Sequence, residues 1–138
     1  MPAAPASEGN FRFPKQERIN SRRAFAYLFE HGSSIRVGVL KVFFVFEVPP
    51  ELRKAHTSVA FSVPKRSFKR AVDRNYLKRR LKEAYRLHRH ILTPELMSSG
   101  GLILFSFYTR KKVPYERIRR SMVKSLHLLV EKIEGESH

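Results

Sequence analysis

The chain has 138 residues, with 28 Lys and Arg against 12 Asp and Glu, a formal net charge of +16 and a sequence pI of about 10.8. At 42% hydrophobic it has enough apolar material for one core of single-domain size, which excludes a wholly disordered basic tail. It has no cysteine, so disulfides and thiol-held metals are excluded, and no run approaches the ~20 apolar residues of a membrane span. The charge makes nucleic acid the leading partner and an anionic membrane surface the runner-up. The first residues, MPAAPASEGN, lack the basic and apolar regions of a signal peptide, and a cytoplasmic location is expected.

Residues 1–10 are small, Pro-rich and polar, and are expected to form a disordered tail. A single α–β domain is expected over 11–134, with 135–138 a C-terminal tail. Phe11 to Asn20 reads as an approach segment. Ser21 then fits an N-cap and Gly32 a helix stop. Between them Ala24, Phe25, Leu28 and Phe29 share one stripe, whose plainest reading is core. Residues 35–48 read as one strand, β-branched and aromatic without helical period. Val42, Phe44 and Phe46 point one way, Phe43 and Val45 the other. Helices can cover one face; the other, left open beside basic residues, suits nucleobases. Arg36, at the start of this strand, is a candidate phosphate contact. Pro49-Pro50 and the charged run to His56 form a loop.

Residues 57–63 read as a second strand, with Val59, Phe61 and Val63 on one face. Pro64 ends it and leads into the densest charge in the chain. Residues 65–90 hold eleven basic side chains against two acidic ones, a net +9 of the total +16. Leu77, Leu81, Ala84, His88 and Ile91 follow helical spacing as a core stripe, with Tyr85 beside them. Asn75, Lys78, Arg79, Lys82 and Arg86 share a separate arc, with Arg74 at the seam. Like charges at 74, 78, 82 and 86 stack one turn apart, which costs a free helix stability and points to a polyanion alongside. Asn75 is a poor helix residue that offers a donor and an acceptor to sugar or phosphate.

Thr93-Pro94 is expected to stop this helix. Residues 98–101 form a turn, and Leu102 to Tyr108 is a continuous apolar run typical of a buried strand. Pro114 opens a last helix with Ile118, Met122, Leu126, Leu129 and Ile133 as its core stripe. Arg117, Arg119, Arg120 and Lys124 lie off that stripe, facing solvent or RNA. A strand, a long helix and a strand form a crossover unit, so the two flanking strands are expected to be parallel neighbours. General rules make such a connection right-handed.

No constellation for protein-borne catalysis stands out. The carboxylates are scattered, and there is no Gly-rich phosphate loop and no nucleophile with an evident base. His88 and His90 do not share a helix face, which argues against a metal pair; His88 reads as a satisfied core histidine.

Arg74-Asn75-x-x-Lys78-Arg79-x-x-Lys82-Glu83, preceded by Phe61-Ser62-Val63-Pro64-Lys65-Arg66 and Ala71-Val72, resembles the signature of the bacterial ribonuclease P protein component. The resemblance runs from about Phe13 to about Ile133. Tyr76 stands where the signature has its second arginine, and Lys82 where it has a later one. Lys82 keeps the charge without the bidentate fork; Tyr76 loses a cation.

The resemblance implies an α+β fold: a two-layer α–β sandwich, ribosomal protein S5 domain 2-like, whose small sheet has a left-handed βαβ crossover. It implies the protein subunit of an endoribonuclease whose catalytic site and Mg²⁺ belong to the RNA, with no cofactor held by the protein. The implied partners are the ribonuclease P RNA, at one to one, and precursor tRNA, with no membrane. RNA-binding residues are then expected at Lys65, Arg66, Arg70, Arg74, Asn75, Lys78, Arg79, Lys82 and Arg86. A cleft for the single-stranded 5′ leader is implied at Phe25, Phe29, Arg36 and Phe43. The rival readings are a structural or ribosomal-type RNA-binding protein with no part in tRNA processing, and a DNA-binding protein.

Overall fold

The computed structural model describes residues 18, 19 and 21–136, apart from the Glu136 side chain. The tail expected over 1–10 and most of the approach segment lie outside the described residues. The first helix, α1 (Arg22–His31), starts and stops at the expected positions. Ser21 has extended backbone, and its hydroxyl accepts from the Ala24 amide at 3.3 Å. The Gly32 amide donates to the Leu28 carbonyl at 2.8 Å.

The single strand expected over 35–48 is instead a hairpin. β1 (Ser33–Val37) turns at Gly38-Val39 and returns antiparallel as β2 (Leu40–Val45), with Val37 opposite Leu40. Gly38 has φ +58, a conformation that favours glycine. The Val39 amide donates to Ser121 Oγ at 3.1 Å, which pins the turn to the last helix. A Cβ at Gly38 would overlap that same oxygen.

β3 (Ser58–Ser62) is followed by turns through residues 64–70. Helix α2 (Ala71–His88) begins only at Ala71, so Lys65, Arg66 and Arg70 precede it. It ends at His88, and a 3-10 turn covers Arg89–Ile91. Thr93-Pro94 therefore does not stop α2. It starts a short helix, α3 (Pro94–Met97), with the Thr93 hydroxyl accepting from the Leu96 amide at 3.3 Å. β4 (Leu102–Phe107) and α4 (Tyr115–Glu136) complete the chain. α4 starts one residue after Pro114 and runs two residues into the segment expected to be a tail.

The sheet order is β1-β2-β4-β3. β3 and β4 are parallel neighbours, with Val59 opposite Ile103, as the crossover reading requires. α2 and α4 cover one face of the sheet. There Val42, Phe44, Val59, Phe61, Ile103, Phe105 and Phe107 pack against Leu77, Leu81, Tyr85, Ile118, Met122, Leu126 and Leu129. α1 covers part of the other face, burying Ala24 and Leu28 against Leu102 and Leu104. The alternation of β2 is as the sequence suggests: Val42 and Phe44 are buried, Phe43 and Val45 only partly.

Thr57 ties α3 to the sheet. Its side chain is fully buried; the hydroxyl donates to the Leu96 carbonyl and accepts from the Gly101 amide at 3.2 Å. Its own amide donates to the Met97 carbonyl at 2.7 Å.

Candidate RNA interface

Burial of Leu77, Leu81, Ala84 and Tyr85 fixes the rotation of α2 about its axis. Asn75, Arg79 and Lys82 are then exposed and Lys78 half-buried, and with Val72 these side chains line one shallow groove along the helix. Four of the five residues in the arc read from the sequence, all but Arg86, thus share one surface. The acids nearby are engaged elsewhere: Asp73 pairs with Lys112 at 2.7 Å, Glu83 with Arg86, and Glu116 with Arg119 at 2.6 Å. The hydrogen bond from Lys112 holds the Asp73 carboxyl below its usual range, and Arg119 does the same for Glu116. Among the described residues Lys78, Arg79 and Lys82 have no carboxylate partner. Burial, then the charges of Lys78 and Arg18, push the Lys82 ammonium below its usual pKa. Such crowding of like charge is relieved by a bound anion.

Not every expected cation belongs to this ridge. The Arg74 guanidinium donates to the Phe68 and Lys69 carbonyls, both at 2.8 Å, and so braces the turn that precedes α2. Arg86 is half-buried and turned to Glu83. Lys65, Arg66 and Arg70 are exposed on that turn. Arg18 pairs with Val59 on the outer edge of β3, beside Lys82.

The second sheet face carries the other expected residues. Pairing puts Arg36 opposite Lys41, Lys41 opposite Ser106, and Phe43 opposite Leu104. Phe29 is 57% exposed and meets Phe43 edge-on, with ring centres 5.3 Å apart and planes at 76°. Phe25 is partly buried in the core beneath α1. The Lys41 ammonium lies 5.2 Å from the Phe43 ring centre, and the Arg36 guanidinium 4.5 Å from that of Tyr108. A pocket of about 320 Å³ opens here, lined by Lys41, Phe43, Arg66, Ser106, Tyr108 and Arg110 among others.

Arg66 thus joins the aromatic face rather than the α2 ridge. Lys41, Tyr108 and Arg110 are neighbours that the sequence reading missed. For Lys41 the signal is Gly38: a hairpin there places Lys41 beside Arg36. His88 is half-buried, and its Nδ1 lies 2.9 Å from the Ala84 carbonyl, one turn earlier. Among the described residues no three His, Cys, Asp or Glu side chains converge on one point, and no helix is long and apolar enough to cross a membrane.

Residues 13–130 match the Ribonuclease P family. The chain belongs to the ribonuclease P protein family. Within it, the ribonuclease P protein component of Porphyromonas gingivalis is 34% identical over 122 residues, 87% of this chain and 88% of that one. That of Chlorobaculum tepidum is 34% identical over 125 residues, covering 82% and 81%. The ribonuclease P protein structure from Staphylococcus aureus superposes with a TM-score of 0.64 at 21% identity, over 82% of this chain and 94% of that one. The Thermotoga maritima protein gives 0.63 at 20% identity, over 81% and 96%. These structural likenesses confirm the α+β fold class of the family.

Proposed function

We propose that this member of the family is the protein subunit of a bacterial ribonuclease P, and that it holds RNA while the RNA cuts. In this reading the partner RNA carries the catalytic site and its Mg²⁺, hydrolysing one phosphodiester to release the 5′ leader of precursor tRNA. The assembly has one protein per RNA and works in the cytoplasm. The observation that carries the reading is the α2 ridge: among the described residues Lys78, Arg79 and Lys82 stand together without acidic partners, and burial, then like charge, holds the Lys82 ammonium below its usual pKa. Phosphates brought close by RNA folding repel one another, and such a ridge offsets that repulsion.

The Phe29 and Phe43 face supports the second half of the reading. An aromatic pair with Phe29 exposed and Phe43 partly buried, beside Lys41 and its cross-strand neighbour Arg36, stacks bases of any sequence, which a leader of variable sequence needs. In this reading Arg66 and Arg110, which line the adjoining pocket, take the leader's backbone. Reconstitution is the test. Adding the protein to a bacterial ribonuclease P RNA at low Mg²⁺ is expected to restore cleavage of precursor tRNA at the mature 5′ end. No gain over RNA alone, or cleavage by the protein without RNA, contradicts the reading.

A further inference from the structure

We infer that Tyr76 and Arg80 form a stacking platform for an unpaired nucleobase of the partner RNA, at the one motif position where a cation has been lost. The inference rests on the reading of this chain as an RNA-binding subunit. Tyr76 lies on α2 next to the basic ridge and is 41% exposed, although tyrosine is an indifferent helix former with apolar surface to hide. The Arg80 guanidinium stands over its ring, 5.0 Å from the centre, and lies 5.9 Å from the ring centre of Tyr115. Arg80 is therefore in contact with two rings, one on α2 and one on α4. A ring fixed on one face by a cation loses little freedom when a base stacks on it, and the cation makes the contact stronger.

The surroundings favour a base over a phosphate. Tyr76, Arg79, Arg80 and Glu83 line a depression of about 270 Å³. The Glu83 carboxylate repels phosphate but accepts N–H donors of a base edge, and Arg86 holds it in place. Arg79, on the rim, also belongs to the phosphate-facing groove, so the base and its own backbone reach the helix together. The site thus converts a lost charge–charge contact into a non-ionic one.

Binding of the full-length protein to a bacterial ribonuclease P RNA, measured at several KCl concentrations, tests this. Tyr76→Ala is expected to weaken binding about 5- to 100-fold at each salt concentration, leaving the slope of log affinity against log salt unchanged. Tyr76→Phe is expected to bind as the unaltered protein does, because the ring and not the hydroxyl carries the contact. Unchanged affinity for Tyr76→Ala, an equal loss for Tyr76→Phe, or a flattened salt slope overturns the platform. Failure of the unaltered protein to bind the RNA removes the functional reading, and the platform with it. Matching melting curves for the three proteins exclude a folding defect.

Discussion

Phe25 and Phe29 sit one turn apart on α1, yet they meet different surroundings. Phe25 is partly enclosed with Ala24 and Leu28, while Phe29 projects edge-on over Phe43. Phe29→Ala is therefore expected to lower affinity for precursor tRNA more than for mature tRNA, by about 1–3 kcal/mol, with little change in melting temperature. Phe25→Ala is expected to lower the melting temperature as well, since it loosens the smaller core. Paired affinities in the assembled ribonucleoprotein, with thermal denaturation of the free protein, check both. Equal losses on the two RNAs would contradict a leader cleft. The sequence showed the shared stripe but not this division, because helical spacing alone does not reveal how far a short helix overhangs the sheet. Arg74 is similar: its charge is legible in the motif, its bonds to the Phe68 and Lys69 carbonyls are not.

Among the elements, the helices with long apolar stripes were the easiest to read. Leu77, Leu81 and Ala84 on α2, and Ile118, Met122, Leu126 and Leu129 on α4, are all buried as their spacing indicates. The β1–β2 hairpin was hidden because Val37, Val39 and Leu40 keep the run apolar through the turn. Their burial comes from α4 and its Ser121, 82 residues away from Val39. Gly38→Ala is expected to destabilise the protein by about 1–2 kcal/mol, the usual cost of a side chain in left-handed backbone, and more if Ser121 has to move. α3 escaped notice because four residues carry too little pattern. Its anchor Thr57 is a local polar residue whose partners lie about 40 positions on. Thr57→Val keeps the shape but leaves the Gly101 amide unpaired, at an expected cost of about 1–3 kcal/mol. For both variants, urea unfolding should show a lower midpoint with an unchanged slope. A midpoint equal to that of the unaltered protein would show that these contacts hold nothing in place.

For the whole molecule, the division of labour follows from where charge is neutralised and where it is not. Asp73, Glu83 and Glu116 pair with cations around α4 and the far side of α2. On α2, Lys78 and Lys82, with Arg79 between them and the Glu83 depression, have no carboxylate partner among the described residues. Across the sheet, Phe29, Phe43 and Tyr108 stand beside Lys41, Arg36 and Arg66. In the proposed reading one surface takes phosphate and the other takes bases, with the parallel β3–β4 pair, joined through α2, between them. The measurement that bears most directly on this account is RNA affinity across salt concentrations for the unaltered protein and a Lys78→Ala/Arg79→Ala/Lys82→Ala variant. If the ridge contacts phosphate, the magnitude of the log–log slope falls by about two to three for the triple variant. A slope equal to that of the unaltered protein would mean that the ridge faces water, and the account would fail.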